Sequence, residues 1–248
     1  MKKDTDVKIE EVPEGIRREK VFNPDAWKPK TDLGRQVKEG KIKTLSEILN
    51  SGKRILEAEI TDFLVHDLQS EVLSVGQSKG KFGGGKRSIW KSTQKKTSEG
   101  NKPKFATLII VGNKNGFLGM GYGKSKETMP AKEKALRKAK LNIVQIIRAR
   151  TSQKGSTFTI PAKVTGKYGS STMTLMPAPQ GTGLCIENEC KKVLAMSGIT
   201  DVYSRATNAK TKYNSINACF NALKEISKLK IKPDFMKKAD IITGPKNE

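Results

Sequence analysis

Apolar and polar positions alternate in short runs along this chain, and the most continuous β-forming run is Ala106-Thr107-Leu108-Ile109-Ile110-Val111. It stops at Gly112-Asn113-Lys114-Asn115-Gly116, a tight-turn composition, so a hairpin is predicted with Phe117–Tyr122 as the returning strand. Bulky residues alternate there with Gly119 and Gly121, which leaves one face of that strand as bare backbone. Either a packed helix or a phosphodiester chain must approach that face closely. A helix is predicted from near Thr128, with Pro130 in its first turn. Met129, Ala135, Leu136, Ala139 and Ile143 form its buried stripe, and Ile143–Ile147 leaves it as a strand.

Upstream, residues 1–30 are polar, contain Pro13, Pro24 and Pro29, and read as an extended arm. A short helix around Leu45–Leu49 ends at Asn50-Ser51-Gly52. From Ala58 to Leu73 the residues Ile60, Phe63, Leu64, Leu68, Val72 and Leu73 recur at helical spacing, which predicts one amphipathic helix. Residues 76–104 carry six glycines and nine Lys/Arg against one acid. Within them Gly76–Ser88 cannot bury a core, Ile89–Lys95 suits a strand, and Thr97–Pro103 suits a hairpin tip.

Downstream, Phe158–Ile160 and Ala162–Thr165 read as strand, Gly166–Gly169 as a turn, and Ser171–Met176 as an alternating strand. Leu184–Ile186 is a further short strand. Glu189–Met196 reads as a helix stopped by Gly198, Val202–Arg205 as a strand, and Ser215–Ser227 as a helix with Ile216, Cys219, Phe220, Leu223 and Ile226 inward. This order is α+β with a small mixed sheet. The last eighteen residues, with Pro233 and Pro245, read as a tail.

Charge changes the picture most. The 248 residues carry a net +23, with mean hydropathy −0.55, so a polyanionic partner is expected. The excess is not uniform: residues 1–73 hold 14 Lys/Arg against 15 Asp/Glu, and residues 74–248 hold 34 against 10. The later part is therefore expected to face RNA or DNA, and the first third to face protein or to form a tail. No apolar run reaches membrane-spanning length, the opening residues read as neither signal nor transit peptide, and three scattered cysteines make no disulfide framework. The chain reads as cytoplasmic.

Catalytic chemistry is hard to place. Gly123-Lys124-Ser125 ends like a phosphate-binding loop, but the required first glycine falls on Leu118. A dinucleotide fingerprint fails because Lys124 stands where a third glycine is needed. The one histidine, His66, falls in the predicted amphipathic helix and reads as a surface residue rather than a catalyst, and Cys185 and Cys190 lack metal-ligand spacing. No cofactor, metal or enzymatic activity is expected.

The candidates for phosphate contact are cations and one amide. Lys86, Arg87 and Lys91 flank the glycine-rich stretch and the first strand, and Lys95, Lys96, Lys102 and Lys104 fill the hairpin. Lys114 and Asn115 occupy the next turn, with Lys124 and Lys126 before the helix and Lys134 and Lys138 on it. Arg148 and Arg150 begin a basic connector, and Lys163 and Lys167 belong to the second unit. Gly112, Gly116, Gly119, Gly121 and Gly123 are the positions expected to allow close approach. A basic hairpin beside a basic helix is the layout by which double-stranded RNA-binding domains straddle a groove.

Val111–Glu127 (VGNKNGFLGMGYGKSKE), Lys138–Ile143 (KAKLNI), Val164–Ser170 (VTGKYGS), Pro177–Leu184 (PAPQGTGL) and Met196–Ser204 (MSGITDVYS) together resemble the small-subunit ribosomal protein S-five family, in family order. Ala26–Ile42 and Glu57–Val65 resemble the extension of its archaeal and eukaryotic branch. The resemblance implies an extended N-terminal arm over 1–57, a double-stranded-RNA-binding-like domain over 58–150 with an insertion at 76–88, a small α+β sandwich domain over 151–230, and a tail over 231–248. The second domain would share its fold with small-molecule kinases without their activity. The resemblance also implies a place between head and body of the small subunit, near where messenger RNA enters. Small-subunit ribosomal RNA and neighbouring ribosomal proteins would be the partners, with a role in assembly and decoding accuracy. Lys95, Lys96, Lys102 and Lys104 inherit contact with the neck RNA.

Because 76–88 has no apolar residue to contribute beyond Phe82, its deletion is expected to leave a single cooperative thermal transition; a broad, non-cooperative melt would contradict that reading.

Overall fold

The computed structural model describes residues 27–248 other than 79, 81–86, 151–156, 233–235, 237–239 and 244–248. Residues 1–26 of the expected arm lie outside these residues, as do Lys86 and most of the 148–155 connector.

The predicted hairpin is the centre of the first sheet. β1 (Gln69–Leu73), β2 (Lys91–Thr97), β3 (Gly100–Gly112), β4 (Phe117–Ser125) and β5 (Ile143–Gln145) are ordered β1-β3-β4-β5, and β2 pairs with the far half of β3. All these pairings are antiparallel. β3 is long enough to serve two neighbours on one edge: Leu108–Gly112 pairs with β1 and Gly100–Ala106 with β2.

Helix α4 (Thr128–Leu141) crosses one face of this sheet. Its buried residues are Ala131, Ala135 and Ala139, one per turn, and they meet Gly123, Gly121 and Gly119 of β4. A Cβ at Gly121 would sit 2.2 Å from the Ala135 carbonyl oxygen, and one at Gly123 2.1 Å from that of Ala131. Small residues on both sides let strand and helix backbones touch. The bare glycine face is thus filled by α4, which answers one of the two alternatives. Met129, expected in the stripe, is half exposed, and Ala131 takes the buried turn instead.

The first 38 described residues form helices α1 (Asp32–Lys38), α2 (Leu45–Asn50) and α3 (Ala58–Leu64). Helices this short are not stable alone. They survive by packing Trp27, Val37, Leu45, Ile48, Ile55 and Ile60 on Phe117 and Ile143 of the sheet. Glu57 ties the entry together, accepting from the Trp27 indole (3.2 Å) and the Lys30 backbone N–H (2.9 Å). Burial opposes its charge, yet these hydrogen bonds and those from Thr31 hold its carboxyl below the ordinary range.

The single helix expected over Ala58–Leu73 is corrected: α3 ends at Leu64, His66 and Asp67 make an exposed turn, and Gln69–Leu73 is strand β1. Adjacent Val72 and Leu73 point to opposite faces, Val72 toward the α4 side and Leu73 into the main core. Such opposition belongs to a strand.

The second unit carries a sheet ordered β10-β11-β9-β8, from β8 (Val164–Tyr168), β9 (Ser171–Pro177), β10 (Leu184–Cys185) and β11 (Val202–Thr207). Helices α5 (Asn188–Ser197) and α6 (Lys212–Ser227) accompany it, and Gly198 ends α5 with φ +82° as the sequence predicts. Gly166, expected in a turn, lies inside β8, where a Cβ would stand 2.2 Å from the Ala218 carbonyl of α6. The turn is at Gly169 and Ser170. β6 (Ile147–Arg150) and β7 (Phe158–Thr159) form a third small sheet. The strand expected over Ile143–Ile147 is broken at Ile146, and its halves join different sheets. The expected tail also departs: β12 (Ile241–Thr243) pairs with β6.

One core joins the two units. Leu108, Ile110, Leu118 and Met120 from the first sheet share a cluster with Met173, Leu175, Val193, Leu194, Phe220 and Leu223. Polar ties reinforce it: Lys114 N–H donates to Met196 O (3.0 Å), Ser74 N–H to Glu189 Oε2 (2.9 Å), and Lys224 Nζ to Asn142 Oδ1 (3.0 Å).

Gly121→Ala and Gly166→Ala each force a helix backbone outward. Each is expected to lower unfolding free energy by about 1–3 kcal/mol in denaturant titrations, although alanine is an intrinsically better strand residue than glycine.

Candidate nucleic-acid interface

β2 and the first half of β3 project as a two-stranded ribbon beyond the body of the first sheet. Residues Lys91–Lys96 and Gly100–Lys104 are all exposed, so the ribbon holds no core and rests on its backbone ladder. Such a ribbon is marginal by itself. Its turn falls at Ser98 and Glu99.

Register sorts its lysines. Lys95 pairs with Lys102, Thr93 with Lys104, and Lys91 with Ala106, which also pairs with Lys124 of β4. Paired residues share a face, so Lys91, Lys95, Lys102, Lys104 and Lys124 project from one side, and Lys96 from the other. Lys102 has a local partner, Glu99. Lys95 and Lys102 stand directly opposite one another, a like-charge pairing that destabilises a free ribbon. This face asks for anions.

A second basic surface is the outside of α4. With Ala131, Ala135 and Ala139 turned to the sheet, Lys134 and Lys138 are exposed one turn apart, and Arg137 stands between them. Arg137 was not among the expected residues; its spacing of three from Lys134 was the available signal. Lys140, on the flank, is instead paired with Asp62 of α3 at 2.7 Å. Lys126 is exposed just before the helix. Elsewhere Lys163 and Lys167 are exposed on and beside β8, and Arg87 is exposed at the base of the glycine-rich stretch, whose ends are closed by Gly76 N–H to Ser88 O (2.7 Å). No ion pair engages Arg87, Lys91, Lys95, Lys96, Lys104, Lys114, Lys124, Lys126, Lys134, Lys138, Lys163 or Lys167 among the described residues.

Three expected contacts are placed differently. Arg148 is 1% exposed; its guanidinium donates to Asn115 Oδ1 (3.0 Å) and toward Lys114 O (3.5 Å), and lies 4.6 Å over the Phe158 ring. Burial pushes its pKa down from the ordinary guanidinium value. Asn115 is correspondingly engaged as its acceptor. Arg150 pairs with Asp240 at 3.0 Å. These groups fasten the β3–β4 turn and the chain end to the second unit. Lys114 itself remains exposed on that turn, held at φ +56°. The glycines too serve the protein. Gly112 lies against Met196 of α5, Gly119–Gly123 lie against α4, and Gly116 takes φ +107° in the turn.

Among the described residues no cluster of three His, Cys, Asp or Glu side chains could hold a metal ion, and no helix is long and apolar enough to cross a membrane. A depression of about 630 Å³ lies between α2, β5 and the end of α6 and is lined by Glu47, Asn50, Val144 and Gln145. It is remote from the lysine ribbon in sequence and carries no cation.

Fold and charge together define a two-unit α+β protein with a lysine-bearing ribbon and helix, the features of a polyanion binder. The profile of ribosomal protein S5, N-terminal domain, matches residues 89–147, and that of ribosomal protein S5, C-terminal domain, matches 166–238. Curated relatives named small ribosomal subunit protein uS5 match nearly end to end. The one from Nanoarchaeum equitans is 42% identical over 88% of this chain and 95% of its own length. The relative from Thermoplasma volcanium is 38% identical over 89% and 95%, and that from Methanocaldococcus jannaschii 37% over 90% and 98%. The chain belongs to the ribosomal protein uS5 family, whose members are non-enzymatic structural proteins.

Arg148→Ala leaves the Lys114 carbonyl and the Asn115 side chain without their donor. A loss of about 1–3 kcal/mol in stability is expected, with no change in the salt dependence of RNA binding; a smaller salt slope would return Arg148 to the phosphate contacts.

Proposed function

We propose that this chain is a structural component of the small ribosomal subunit that binds its ribosomal RNA and neighbouring ribosomal proteins. Its place is the junction of head and body, near where messenger RNA enters, and there it supports assembly and accurate decoding. The observation that carries the reading is the shared face of Lys91, Lys95, Lys102, Lys104 and Lys124, four cations on one side of a protruding hairpin and a fifth beside them on β4. The exposed α4 stripe of Lys134 and Lys138 adds a second surface, and Arg87, Lys96, Lys114, Lys126, Lys163 and Lys167 are further exposed candidates for phosphate contact. Family membership and the near end-to-end match to archaeal relatives support the same assignment. The helical N-terminal part, with balanced charge and an apolar cluster already closed on Phe117, is suited to protein neighbours rather than to RNA.

Phosphate neutralisation has a measurable signature. Five contacts give a slope of log affinity against log salt of about −4.5, so a fourfold rise in salt weakens binding about 500-fold. The double variant Lys95→Gln/Lys102→Gln is expected to reduce that slope by about 2 without lowering the melting temperature, because it relieves a like-charge pair. In sucrose gradients the tagged protein should comigrate with small subunits at low salt and persist at moderate salt. Sedimentation at the top under both conditions would replace this reading with a free RNA-binding regulator.

A further inference from the structure

Among the described residues, the second sheet has a face that no other element covers. Its inner side packs Val202, Met173 and Leu175 on the helices, with Gly166 against α6. Register places the outer residues in three rows: Cys185–Tyr203–Met176, Arg205–Thr174–Thr165, and Thr207–Thr172–Lys167. Tyr203 is 41% exposed, and Cys185, Arg205, Thr207, Thr165 and Lys167 are exposed around it. The four strands contain no Asp or Glu.

The make-up of this face selects an occupant. An interface core with a protein needs contiguous apolar surface and few charges; here only the Tyr203 row is apolar, and the other two are hydroxyls and cations. An aromatic ring with a cation two residues along the strand suits a single-stranded nucleic acid, since any base presents a π-face and each step brings a phosphate. Arg205 lies about 7 Å from Tyr203 along β11, the scale of one nucleotide of an extended strand. Threonine hydroxyls can pair with base edges and with 2′-hydroxyls.

We propose that the outer face of this sheet binds unpaired RNA, one base stacking on Tyr203, the adjoining phosphate meeting Arg205, and Lys167, two rows further across the face, meeting a more distant phosphate of the same strand. This rests on the RNA-binding reading above but uses a different surface from the lysine ribbon. It is tested with the full chain, a labelled single-stranded oligoadenylate of about ten nucleotides and a duplex of about 16 base pairs. Tyr203→Ala is expected to weaken single-strand binding about 5- to 150-fold, Tyr203→Phe to change it by less than about twofold, and neither to alter duplex affinity or the thermal melt. Equal single-strand affinity of wild type and Tyr203→Ala, with duplex binding intact, overturns this proposal alone. A wild type that binds neither probe overturns the general reading as well. A Tyr203→Phe loss as large as that of alanine removes stacking as the mechanism. Unchanged single-strand affinity combined with release of Tyr203→Ala from purified small subunits assigns the face to a protein neighbour and overturns it too.

Discussion

The contact between β4 and α4 is the constraint on which the first unit depends. Gly119, Gly121 and Gly123 give up side chains so that the helix can rest on strand backbone, and Ala131, Ala135 and Ala139 complete the fit. A helix seated this closely is fixed in rotation as well as in distance. With its alanine edge inward, Lys134, Arg137 and Lys138 have only the outside left. Packing thereby decides where positive charge is displayed, and it does so with little apolar area. The second unit repeats the arrangement with Gly166 against Ala218 and Ala222 of α6.

The other face of the first sheet is closed by the second unit, so both faces are occupied by protein. Against the body of this sheet nucleic acid is then met at turns and at the outside of α4, and beyond it on the projecting ribbon, where lysines without an ion pair stand. The buried Arg148 belongs to this same division of labour. It is a cation withdrawn from the surface to hold the β3–β4 turn against Gly198, while Lys114, its neighbour on that turn, stays outside.

Much of this was legible from residue order because it is local. The hairpin at Gly112–Gly116, the start of α4 at Thr128, the cap at Gly198 and the α6 stripe each carry their own turn, cap or period. The misreadings have a common physical cause in partners distant along the chain. Val72 and Leu73 suit either period, and pairing of Gln69–Leu73 with Leu108–Gly112 makes them part of a strand. Gly166 looks like punctuation until α6, fifty residues on, rests against it. Ile241–Thr243 needs β6 to become a strand. The burial of Arg148 depends on Phe158 and on a turn more than thirty residues earlier. For the interface, residue type and number were readable; which lysines share a side of the ribbon required register.

The shared core has a consequence during synthesis. Leu108, Ile110, Leu118 and Met120 emerge from the ribosome roughly a hundred residues before Phe220, Leu223 and Ile226, against which their cluster closes. At ordinary elongation rates that interval is about 5–20 s. Throughout it, a finished hairpin with its helix on one side presents a bare aliphatic surface on the other, and the nascent chain must be kept from others like it until its last helix arrives.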